Sequence, residues 1–117
     1  MIGAMGPQDA ASDTPTPVFF LAGGTGISAE TLGNLLLAQF PGLNFTRRKI
    51  PFITSVEKAA EVMAEIDAAM TDSVTPLAFS TVSDDPIRQV LQGTQAAFID
   101  LFGSHLDTVE RILHVNA

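Results

Sequence analysis

Four short, β-prone apolar runs punctuate this chain, at Val18 to Leu21, Phe45 to Ile50, Leu77 to Ser80 and Ala97 to Leu101, and a stretch of helical period follows each. Strands separated by helical crossovers pair in parallel, and right-handed connections lay the helices against the sheet faces. The pattern predicts a three-layer, Rossmann-like α/β fold with a four-stranded parallel sheet. Reversal of direction after the first strand gives the spatial order 2-1-3-4, with a crevice beside the loop that leaves that strand.

The helical stretches carry start and stop signals. The first is expected over Ile27 to Phe40, with Leu32, Leu35, Leu36 and Phe40 on a buried face and Pro41 and Gly42 ending it. The second is expected to begin at Thr54, which stands at capping-box spacing from Glu57. Its apolar stripe is Ala59, Met63, Ile66 and Met70, opposite Glu57, Glu61 and Glu65. Asp85 as N-cap and Pro86 at the first position open a third helix that buries Ile87, Val90 and Leu91 and ends near Gly93. Asp107 and Glu110 repeat the capping spacing before Val109, Ile112 and Leu113, giving a fourth helix to about Val115.

Composition narrows the function classes. Six Lys and Arg against 13 Asp and Glu leave a net charge of −7, which argues against nucleic-acid or anionic-membrane partners. There is no cysteine, so disulfides and thiolate zinc sites are excluded. Charged residues make up 16%, below the usual quarter, which leaves apolar surface for something else to cover. No apolar run approaches the roughly 20 residues that span a bilayer. Residues 1–17 lack the basic start and apolar core of a signal peptide and read as a disordered leader or a remnant of an expression tag. The expected layout is therefore one α/β domain over residues 18–117, in the cytoplasm.

The segment from Leu21 to Glu30 runs from a strand through Gly23, Gly24, Thr25 and Gly26 into a helix that begins with Ile27 and Ser28. Glycines let backbone amides approach a phosphate, and a helix N-terminus presents unpaired N–H groups with a partial positive charge. Gly23, Gly24, Thr25, Gly26 and Ser28 are thus candidate anion- or nucleotide-binding residues. A tight turn capped by Ser28 explains the same residues, and the loop lacks the G-K-S/T ending of a P-loop. Ligands of open parallel sheets collect at the carboxyl ends of strands, which adds Thr81, Asp84, Asp100, Gly103 and Ser104 to the neighbourhood. Asp100 could polarise a hydroxyl or simply accept loop hydrogen bonds.

Arg47, Arg48 and Lys49 hold half of the positive charge. They read as guards of an edge strand, or as a contact for a phosphate or an acidic partner. Gly24, Gly26 and Ala29 fit a dinucleotide pattern, and an arginine about 20 residues on could meet a 2′-phosphate. A small NADP-type domain is therefore an alternative reading, and a pure interaction module is another. His105 and His114 have no third ligand partner and are assigned to the surface or to capping, so no metal is expected. Met63 and Met70 need only a core role.

Several motifs in order give a sharper indication: VFFLAGGTGISAETLGNLLLAQFPG from Val18 to Gly42, KIPF from Lys49 to Phe52, PLAFSTVSDDPIR from Pro76 to Arg88, and FIDLFGSHL from Phe98 to Leu106. Together they resemble the N-terminal domain of the family of pyruvate, phosphate dikinase regulatory proteins and phosphoenolpyruvate synthase regulatory proteins. The resemblance runs from Val18 to Leu113.

It implies a bifunctional enzyme that phosphorylates a threonine of the dikinase or synthase with ADP, and removes the phosphate by phosphorolysis, releasing pyrophosphate. It places that chemistry in a C-terminal P-loop kinase domain which this chain lacks. The isolated chain is then expected to be inactive and to serve target recognition, dimer contacts or the nucleotide cleft. ADP or phosphate would be ligands of the full-length family member, with no cofactor held tightly by this chain. The partners implied are the dikinase or the synthase, with a homodimer as a further option. Thr25, Thr81, Arg88 and Asp100 match the family pattern and are carried over as candidate cleft residues, with no catalytic residue assigned. Two departures stand out. Ala22 and Gly23 replace a serine and an aspartate, and Asp84-Asp85-Pro86-Ile87-Arg88 stands where D-P-E-I-R is usual.

Overall fold

The computed structural model describes residues 14–114, apart from the side chains of residues 104–107. Most of the expected leader, and the end of the fourth helix near Val115, lie outside the described residues. The elements alternate as β1 (Thr16–Leu21), α1 (Ile27–Leu37), β2 (Phe45–Ile50), α2 (Val56–Ala68), β3 (Leu77–Ser80), α3 (Asp85–Gln92), β4 (Ala97–Asp100) and α4 (Gly103–Leu113). Thr16 and Pro17, expected to belong to the leader, open β1 instead.

The sheet is parallel throughout and its order is β2-β1-β3-β4. Val18 pairs with Arg47 on one side and Leu77 on the other, so β1 is central, as the reversal after the first strand predicts. Because strand side chains alternate, each face has its own core. Phe19, Leu21, Ile50 and Ala78 pack with Ala59, Val62 and Ile66 of α2 and with Ile87 and Leu91 of α3. Val18, Phe20 and Phe79 pack on the other face with Ala29 and Leu37 of α1. There the Phe20 and Phe79 rings stack at 6.0 Å between centroids.

The helix starts differ from expectation in instructive ways. Ser55, not Thr54, caps α2 by accepting from the Lys58 N–H at 3.1 Å. The residues before it are held elsewhere: the Phe52 N–H donates to Gly24 O at 2.9 Å and the Ile53 N–H to Ala22 O at 2.9 Å. Asp84, not Asp85, caps α3 through the Ile87 N–H at 3.3 Å, which frees Asp85 for an ion pair with Arg88. The fourth helix starts at Gly103 rather than Asp107, because the Asp100 carboxylate accepts from the Phe102 and Gly103 N–H groups at 3.2 and 2.8 Å.

The largest correction concerns α1. Its buried residues are Ala29, Gly33 and Leu37, whereas Leu32, Leu35, Leu36 and Phe40 are exposed, Leu35 at 60% and Phe40 at 56%. Small residues let the helix lie close on Phe20 and Phe79, so the leucine stripe faces outward.

Candidate functional site

The carboxyl ends of the strands carry the loops 22–26, 51–55 and 81–84, and these are tied together by backbone bonds. Ala22 donates to Ile50 O at 3.2 Å and Thr81 to Leu21 O at 3.0 Å. Between them lies a cleft of about 320 Å³, lined by Gly23, Gly24, Ile53, Thr54, Thr81, Val82, Ser83, Asp84 and Ile87. Ser80, wholly buried, fixes the start of the 81–84 loop by accepting from the Val82 N–H at 3.1 Å.

Of the candidates from sequence, the cleft brings together Gly23, Gly24, Thr81 and Asp84. Thr25 and Ser28 are exposed beside it, and Gly26 is buried at the start of α1. Gly26 has φ +87°, a left-handed conformation that favours glycine, and it provides no side-chain cap for the first amides of α1. A Cβ on Gly24 would meet open space, so this residue fronts the opening.

Arg88 and Asp100 form a separate cluster beyond the lining of the cleft. The Arg88 guanidinium lies 2.6 Å from Asp85 and 3.6 Å from Asp100, and its Nε is buried with no hydrogen-bond partner among the described residues. Asp100 therefore has two positions to hold, the start of α4 and the Arg88 guanidinium. The side chain of Ser104 lies outside the described residues, as does that of His105. His114 is the left-handed C-cap of α4 and is exposed.

The basic run of β2 divides between the two faces. Arg47 donates to Asn34 of α1 at 2.8 Å and lies over the Phe45 ring, Arg48 pairs with Glu65 of α2, and Lys49 Nζ lies 3.6 Å from Glu30 of α1. β2 is an edge strand, and its cations join it to the helices on either side. Arg47 and Arg48 sit opposite Val18 and Phe19, short of the carboxyl end, and each is engaged by a helix.

Sequence reasoning offered Lys49 as a phosphate or acidic-partner contact without placing it beside the glycine loop, and it missed Thr54 as a lining residue. The Lys49 stem packs against Gly26, and its ammonium lies 3.6 Å from Glu30 in the first turn of α1. The alternation of a strand was the available signal, since it sends Lys49 to the face opposite Arg48. Thr54 reaches the cleft only because Ser55 takes the cap. Among the described residues, no group of three or more His, Asp or Glu is placed to hold a metal ion.

Fold and cleft together define a Rossmann-like α/β domain with an open crevice at the switch point beside β1. The chain belongs to the kinase/pyrophosphorylase family, which matches residues 18–117. It is 46% identical over 102 residues to a protein of Aromatoleum aromaticum assigned as a phosphoenolpyruvate synthase regulatory protein, covering 85% of this chain and 36% of that one. A protein of Pseudomonas fluorescens with the same assignment is 43% identical over 96 residues, covering 81% and 35%. One from Acinetobacter baylyi is 38% identical over 97 residues, covering 82% and 35%. The chain thus spans about a third of the length of these relatives.

Proposed function

We propose that this chain is the N-terminal domain of a bifunctional regulatory protein that phosphorylates a threonine of phosphoenolpyruvate synthase or of pyruvate, phosphate dikinase, and that its cleft contributes a phosphate contact. The observation that carries the reading is the cleft at Gly23 and Gly24, which adjoins the uncapped start of α1 in a chain matched by the family over residues 18–117. In the forward direction the threonine hydroxyl takes the terminal phosphoryl group of ADP, leaving AMP. In reverse, inorganic phosphate takes that group from phosphothreonine and leaves as pyrophosphate.

The chain supplies one part of such a machine. Backbone amides at a helix start stabilise a phosphate without any side chain, so replacement of a serine and an aspartate by Ala22 and Gly23 leaves that capacity intact and removes a negative charge. The Lys49 stem lies beside the loop, with its ammonium paired to Glu30. Transfer itself needs a group to hold the moving phosphates, and no G-K-S/T sequence occurs in the chain.

The experiment is a label-transfer assay with ADP labelled in its terminal phosphate and purified synthase or dikinase. A full-length protein carrying this domain should label the target threonine, and this chain alone should not. Label transferred by the chain alone, or no transfer by the full-length protein to either target, would refute the reading.

A further inference from the structure

Strands spaced about 4.8 Å apart make a four-stranded sheet roughly 14 Å across between its outer strands, a width that two helices packed about 10 Å apart cover. One face has two such helices, α2 and α3. On the other, α1 is the helix contributing to the core among the described residues. Alongside α1 runs an apolar groove of about 460 Å³, whose floor and walls include Leu36, Phe40, Phe45, Leu77, Phe79 and Ile99. Phe45, Leu77 and Ile99 are only half-buried, so the described residues leave the strip of sheet beside α1 incompletely covered. The outward stripe of α1 continues the apolar surface from one wall of the groove. Val109, Ile112 and Leu113 of α4 are exposed, so these side chains do not fill it.

We propose that this groove seats one amphipathic helix from the part of the family polypeptide that lies outside the region matched here. The groove is apolar, it lies on the face that one helix leaves partly bare, and the relatives carry nearly two-thirds of their length beyond the match. A helix supplied within the same polypeptide docks at high effective concentration, and it would bury Leu36 and Phe40 along with the strip of sheet. The inference rests on the family assignment and not on the phosphate contact.

The absence of cysteine makes the groove easy to probe. Leu36→Cys and Phe40→Cys report on it, and Ala64→Cys, exposed on α2, reports on the opposite side. Thiol-labelling rates are read peptide by peptide in this chain alone and in a full-length chimera, in which it replaces the matching region of the Aromatoleum relative. Each variant's mass in solution is measured by light scattering. The expected result is a slowing of at least tenfold at positions 36 and 40 in the chimera, with position 64 unchanged. Equal labelling of the groove positions in both proteins overturns the proposal. So does protection in the chain alone that rises with concentration alongside a doubled mass, because the occupant is then a second copy. If the chimera does not fold, protection of the chain's groove cysteines is measured on adding the relative's remaining segment as a separate polypeptide, and failure to protect them overturns the proposal.

Discussion

Gly33 sets how closely α1 lies on the sheet. A Cβ there would overlap the Phe20 ring and press on Phe79 at 3.1 Å. Overpacking of this kind costs about 1–3 kcal/mol, against about 1 kcal/mol gained by removing a glycine from a helix interior. Phe20 is fully buried and stacked on Phe79, so it has little freedom to yield. Gly33→Ala should therefore lower the urea midpoint, and an unchanged or raised midpoint would show that the helix can retreat at no cost. The candidate residues were legible in the sequence to the extent that strand ends could be located: Gly23, Gly24, Thr81 and Asp84 do share a cleft. Arg88 and Asp100 were grouped with them, but their side chains pair with each other beyond its lining. Thr54 escaped notice because Thr54 and Ser55 are both plausible caps, and backbone bonds from Phe52 and Ile53 decide between them.

At the scale of elements, strands were read more faithfully than helix faces. The β2 and β3 runs were expected at the residues where they occur: β3 is apolar and aromatic, and β2 sets Phe45, Thr46 and Ile50, all β-prone, around a basic centre. The face of α1 was misread because hydrophobic spacing selects the largest side chains, whereas close packing on two phenylalanines selects the smallest. Two substitutions separate these accounts. Leu37→Ala empties a buried site and should cost about 2–5 kcal/mol, whereas Leu35→Gln on the outer stripe should stay within about 0.5 kcal/mol. Chemical denaturation of this chain measures both. Comparable losses would return Leu35 to the core.

For the molecule as a whole, topology was the most legible feature. Alternating elements and right-handed crossovers leave few arrangements, and the order β2-β1-β3-β4 puts the glycine loop at the crevice. What covers the face beside α1 was not legible, because helical periodicity does not show which of two apolar faces a helix buries. The charged fraction did hint at it, since a chain this poor in charge keeps apolar surface to spare. The central claim is that the crevice is a phosphate site built from backbone. Amide shifts followed by NMR during a phosphate titration test it most directly, in the native chain and in Gly24→Val. The added side chain points into open space and Gly24 does not have the left-handed φ of Gly26, so the variant should fold. The account predicts that amides from Thr25 to Ser28 shift by millimolar phosphate in the native chain and respond far less in the folded variant. Unmoved amides in the native chain, or an equal response in both, would contradict it and leave the loop as a turn.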